Sequence, residues 1–198
     1  MDPTPLLTSL QQSGFAVWIR DSLYVFPFLE AAHVIGFAIV VGTIAIIDLR
    51  LLGLASVLRP VDRVMGDVLK WALMAFVVTA LTGVLMFLAN PLVYFHNTYF
   101  RAKVLLLVLA GLNAFAFELT ARKTMGQWNH SAAAPTAGRI VAVVSLVVWV
   151  AVIFTGRMIG FTATRTSLNE PPPAELNLDD LFGAPAGDAA PPAPVDPK

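Results

Sequence analysis

The chain has 198 residues, 57% of them hydrophobic and 13% charged. An ordinary soluble domain carries about 25% charge and about 45–50% apolar residues, so the composition speaks against a cytosolic globular protein and for a membrane-embedded one. Thirteen bases balance thirteen acids, which leaves no global field to attract nucleic acid. The absence of cysteine excludes disulfides, iron–sulfur clusters, thiolate catalysis and Cys-based zinc sites.

Residues 1–21 open the chain without a basic leader. Leu6, Leu7, Leu10, Gly14, Val17 and Trp18 fall at helical spacing on one side. This pattern predicts one amphipathic helix lying at the membrane interface. Residues 22–162 then hold four apolar stretches, at about 23–47, 71–89, 99–119 and 140–161, each near the roughly 20 residues that a bilayer crossing requires. Pro27 lies one turn into the first. The strictly uncharged part of the third, Val104 to Phe117, is short, so Arg101 and Lys103 must snorkel or face protein. Small residues recur four apart, at Ala38 and Gly42, at Ala75, Thr79 and Gly83, and at Ala110 and Ala114. Such stripes let helix backbones approach closely. Beyond residue 163 the composition changes to proline, alanine and acids, and the expectation for 163–198 is a disordered tail. Within it, Leu176 to Phe182 alternates acidic and apolar residues.

The sequence therefore specifies an all-helical, four-helix transmembrane bundle with an interfacial N-terminal helix and a disordered C-terminal tail. The first span has three arginines soon after it (Arg50, Arg59, Arg63) and one before it (Arg20), which places both termini outside the cytoplasm. Trp18, Tyr24, Tyr94 and Tyr99 then belong to the outer aromatic belt, and Trp71 and Trp128 to the inner one.

An ionisable residue inside a span is a functional candidate by default. Glu30 and His33 are three apart and share a helix face, with His33 roughly 13 Å in from the outer end. The expected topology brings Thr82, Lys103 and Arg157 to the same half and sets His96 in the loop above. Glu30, His33, Thr82, His96, Lys103 and Arg157 can thus converge. Three chemistries suit such a cluster. One is haem b, with His33 as iron ligand, His96 as a second histidine on that side, and Lys103 or Arg157 facing the propionates. Another is a copper or zinc ion on His33, Glu30 and His96. The third is proton or small-ligand traffic through a Glu30–His33 relay past Asn113. A purely structural role, with ion pairs fixing helix register, stands beside them. Asp48, near the C-terminus of the first helix, is disfavoured there by the macrodipole and is expected to pair with Arg50, Lys70 or Arg122 as a clamp. No phosphate loop, nucleophile elbow or dinucleotide fingerprint is present.

The runs Phe26-Pro-Phe-Leu-Glu-Ala-Ala-His-Val-Ile-Gly36, Asp48-Leu-Arg-Leu-Leu-Gly53 and Phe100-Arg-Ala-Lys-Val-Leu-Leu, with Leu112-Asn113, resemble an uncharacterised family of small four-span bacterial inner-membrane proteins, a domain of unknown function. The resemblance covers roughly Trp18 to Phe161. It implies a bacterial origin and an inner-membrane location, and no activity. More weakly, His33 with Lys103 is similar to the cofactor region of the copper-resistance D type and of the haem-containing membrane protoporphyrinogen oxidase family. A second helical histidine and a methionine-rich copper motif are missing. The resulting expectation is a haem b-binding membrane subunit in contact with lipid and larger membrane or periplasmic subunits. A metal-handling or permease-like protein and a ligand-free structural subunit are the alternatives.

Overall fold

The computed structural model describes the backbone of residues 3–169 and side chains as far as Thr162. Among the described residues every regular element is helical. The order is α1 (Thr4–Gln11), α2 (Gly14–Asp21), α3 (Val25–Leu51), α4 (Val61–Ala89), α5 (Pro91–His96), α6 (Thr98–Leu119), a 3₁₀ turn (Arg122–Thr124), α7 (Met125–Trp128) and α8 (Thr136–Asn169). Helices α3, α4, α6 and α8 contain the four stretches long and apolar enough to cross a membrane. All four run further than their apolar cores. Helix α4 begins ten residues before Trp71, because Pro60 ends the preceding loop and Asp62 sits favourably in the first turn. Helix α8 continues to Asn169, past the point where composition set the start of the tail. The rest of that tail, with the Leu176–Phe182 patch, lies outside the described residues.

The N-terminal segment differs from the single helix expected of it. It is two helices, broken at Gln12 and Ser13. The Ser13 side chain caps α2 by accepting from the Ala16 amide, while its hydroxyl donates to the Leu10 carbonyl. One hydroxyl thus closes one helix and opens the next, and the break resets the helical phase. Leu7, Ala16 and Ile19 become the buried positions, whereas Leu6 and Trp18 stay largely exposed.

Helices α3 and α4 form the tightest pair. A Cβ on Gly36 would stand 2.5 Å from Thr79 Oγ1 and 3.4 Å from the Ala75 carbonyl oxygen. The stripe of Ala75, Thr79 and Gly83 is therefore a packing seam. The companion stripe on α3 is not Ala38 and Gly42, which are exposed, but the face of His33, Gly36 and Val40. Val40 and Ala75 meet Trp149 and Val152 of α8, with Phe37, Leu106 and Ala110 packed around them.

At the far end, Leu51, Val61, Phe117, Ala121, Trp128 and Ala142 make a second core. It joins the end of α3, the start of α4, the end of α6 and the start of α8, so the four long helices alternate in direction. Trp128 is a core residue here rather than part of an interfacial belt, at 6% exposure. Arg50, 1% exposed, ties the connections together. Its guanidinium donates to the carbonyls of Arg59 (2.9 Å), Ala132 (3.1 Å) and Ser131 (3.0 Å). Gly53, at φ +76°, lies so close that a Cβ would meet the Ala132 oxygen at 2.8 Å. The Asp48-Leu-Arg-Leu-Leu-Gly53 run is thus a loop-anchoring motif.

The seam predicts a contrast between two glycines of one helix. Gly36→Ala overpacks α3 against α4 and lowers stability by about 1–3 kcal/mol. Gly42→Ala, with nothing within 4 Å of the new methyl, leaves it unchanged or slightly raised. Thermal unfolding of the detergent-solubilised variants measures both, and equal melting temperatures would contradict the seam.

Candidate functional site

The seam also positions a histidine. The Nδ1 of His33 lies 2.9 Å from the Thr79 carbonyl oxygen and 3.1 Å from Thr82 Oγ1. A carbonyl only accepts, so Nδ1 carries a proton, and in the neutral ring Nε2 holds the lone pair. The Thr82 hydroxyl donates back to its own helix, to the Val78 and Thr79 carbonyls, and so has a lone pair to offer the imidazole. Gly83 gives the ring its room. A Cβ there would stand 3.0 Å from His33 Cε1.

Next to this imidazole is a cavity of about 340–430 Å³ in each of two adjoining chambers. The chamber at the His33 end measures about 430 Å³ and is lined by His33, Phe37, Thr79, Gly83, Phe100 and Lys103, among others. Phe87, Tyr94 and Phe100 close that end as an aromatic cluster, with ring centroids 5.5 to 6.5 Å apart. The stop is built locally. Pro91 starts α5 directly after α4, and Asn97 caps α6 by accepting from the Tyr99 and Phe100 amides while donating to Thr162 of α8. Lys103 enters from α6. Its Nζ is 5.5 Å from the centre of the Phe37 ring, and a Cβ on Gly156 of α8 would be 3.6 Å from it. The ion pairs among the described residues are Arg20–Asp21, Arg59–Asp67 and Arg122–Glu118, so Lys103 has no carboxylate partner among them.

The six residues expected to converge do so only in part. His33, Thr82 and Lys103 come together. Glu30 is exposed on α3, beside Tyr94 and outside the chamber lining. Burial, and then the Glu30 carboxylate, push the Tyr94 phenol above its ordinary value. His96 is exposed on α5, its Nδ1 bonded to the Leu92 carbonyl at 2.9 Å. Arg157 is exposed on α8, its guanidinium over the Phe161 ring at 4.8 Å. Glu30 and His33 share a helix face only loosely, since three residues advance the helix by 300°, and that rotation puts the acid outside the seam. The expected Asp48 clamp is also corrected. Asp48 is buried, but Arg50 donates to loop carbonyls and Arg122 pairs with Glu118. Asp48 instead has Ser145 of α8 as its hydrogen-bonding neighbour.

This geometry accompanies a sequence match over residues 14–162 to the model of a family of unknown function, DUF6644. The chain belongs to that family. No curated protein and no solved structure matches it. The DUF6644 match spans α2 to the last described side chains of α8, and so takes in the seam, the Arg50 anchor and both chambers. Sequence reasoning missed the Thr79 carbonyl as the partner of His33. The signal was the Thr79–Gly83 spacing, which read as packing alone.

The hydrogen bond to Thr79 predicts the tautomer. In the His96→Gln, His130→Gln background, imidazole ¹⁵N NMR of the neutral ring should find the proton on Nδ1. Thr82→Val should keep that tautomer and cost about 0.5–1.5 kcal/mol, the value of one hydrogen bond. A proton on Nε2 would contradict the assigned geometry.

Proposed function

We propose that the chain binds a flat, lipid-soluble ligand with an acidic group in the His33 chamber, and that this ligand is haem b. One observation carries the reading. A ring whose Nδ1–H is held by a backbone carbonyl lines an apolar cavity together with an ammonium group that has no carboxylate partner among the described residues. Metal-ligating histidines commonly donate their other ring nitrogen to a carbonyl or carboxylate, which fixes tautomer and ring orientation. His33 would hold the iron through the lone pair of Nε2. Lys103 would meet a propionate. Phe37, Phe100 and Trp149 would form the apolar shell that tunes such a centre. His96 lies outside the chamber lining and would not join His33 in holding the group. A bare copper or zinc site has less support, since no group of three His, Asp or Glu side chains gathers among the described residues.

We further propose the bacterial inner membrane as the location, with both termini outside the cytoplasm. Arg59, Arg63, Lys70, Arg122, Lys123 and Arg139 belong to the end of the bundle that Arg50 anchors. A cytoplasmic setting for that end suits the distribution of basic residues in short loops.

Hemin added to the detergent-purified chain should give a Soret band. His33→Ala should abolish it, and Lys103→Gln should weaken binding several-fold, with helical content unchanged by circular dichroism. A chain that takes up no hemin, or a band indifferent to His33→Ala, would refute the haem reading. The orientation has a separate check, because the native chain lacks cysteine. A membrane-impermeant maleimide should label His96→Cys in intact spheroplasts, and Arg63→Cys only after permeabilisation. The reverse pattern would invert the topology.

A further inference from the structure

The second chamber lies toward the Arg50 end and measures about 340 Å³. Its walls are mostly apolar, and Val40, Phe76, Leu107 and Trp149 are common to both chambers. One feature of the lining is out of character. Asp48 of α3 is 5% exposed, and its Oδ2 has no hydrogen-bond partner. Ser145 of α8, 6% exposed, is its one side-chain hydrogen-bonding neighbour. Asn113 of α6 completes a polar set from three helices. Its amide nitrogen donates to the Val141 carbonyl at 3.1 Å, which leaves its carboxamide oxygen as an acceptor.

A carboxyl in such a place must hold a proton or a cation, because an uncompensated buried charge is very costly. Of the basic side chains near that end, Arg63, Lys70 and Lys123 are exposed and form none of the ion pairs among the described residues, and the others are engaged elsewhere. Arg50 is bound to three loop carbonyls, Arg122 to Glu118, Arg59 to Asp67 and Arg139 to the Ala134 carbonyl. A proton suffices on its own; a cation that enters the chamber can replace it. Calcium takes 6–8 oxygen ligands and magnesium a full octahedron, whereas beside Asp48 the chamber offers the side chains of Ser145, Asn113 and Glu118, the last already paired with Arg122. A primary ammonium has three N–H donors and no acceptor, which matches a carboxylate, a hydroxyl and a carboxamide oxygen. Its hydrocarbon body would lie along the Phe76, Leu107 and Trp149 walls.

We propose that the Asp48 chamber is a second ligand site, distinct from the His33 chamber, and that it takes the ammonium head of a lipophilic primary amine. Asp48 neutralises the head, Ser145 and Asn113 accept its remaining N–H groups, and the apolar walls take the chain. The proposal does not depend on haem or on His33.

The test uses the full-length chain in detergent, with nonylamine as the probe, 1-nonanol as its neutral counterpart, and sodium chloride at matched ionic strength. Nonylamine should raise the melting temperature by several degrees while nonanol and sodium do not. Asp48→Asn should reduce nonylamine affinity at least tenfold by titration calorimetry, and Ser145→Ala should reduce it several-fold. His33→Ala should leave it unchanged, which separates this site from the haem reading. Should Asp48→Asn fail to fold, Ser145→Ala and Ala114→Phe, which fills the chamber, carry the test. Equal stabilisation by amine and alcohol, or nonylamine binding indifferent to these substitutions, would overturn the proposal. So would a stabilising response to sodium alone.

Discussion

The close approach of α3 and α4 is the constraint on which the rest of the molecule depends. Lipid offers no hydrophobic drive between helices, so their association relies on packing and on polar contacts. Gly36 supplies the packing by letting Thr79 reach the α3 backbone. His33 supplies the polar contact by donating to the carbonyl of that same Thr79. His33 and Gly36 of α3, with Ala75, Thr79, Thr82 and Gly83 of α4, thus set helix separation, helix register and imidazole orientation together. A change in any one of these quantities moves the other two.

The opposite end is held by different physics. There the chain must turn twice in a small space, from α3 to α4 and from α6 to α8, and the turns expose backbone carbonyls. A single buried guanidinium collects three of them. Arginine suits the task because its donors are fixed in a planar fork and it stays charged. Its position in the last turn of α3 also places positive charge where the helix dipole is negative. Asp48, two residues earlier, lies in the unfavourable part of the same dipole without that cation as partner. A carboxyl at such a position stays neutral unless a cation reaches it.

Between the two anchored ends, α6 packs loosely. Most of its apolar side chains, among them Val104, Leu105, Val108, Leu109 and Leu112, are exposed. The two chambers border this helix and meet at Phe76, Leu107 and Trp149. A tight α3–α4 pair with a loosely seated α6 is an arrangement that a lipid-soluble ligand can enter from the bilayer side. The polar groups at the two ends of the cavity differ in character. Imidazole and ammonium stand in one chamber, carboxyl, hydroxyl and carboxamide in the other, so the two would select ligands of opposite charge.

Composition and hydrophobic run length by themselves determined the class, the number of long helices and their approximate extent. Lipid makes one demand that is legible residue by residue, namely an unbroken apolar stretch long enough to cross. The stripe of Ala75, Thr79 and Gly83 was legible for the same reason, since it lies within one helix. The ionisable residues of the spans were also evident as candidates, because each stands out against apolar neighbours. Which of them meet was decided only in three dimensions. Rotation about a helix axis carries Glu30 off the face that His33 shares with α4. A two-residue break moves the buried side of the N-terminal segment. The partner of His33 is a main-chain carbonyl, which every residue possesses and no side-chain pattern reveals. Asp48 lost its expected clamp for a similar reason: the guanidinium two residues away met three loop carbonyls that only the folded turns bring within its reach.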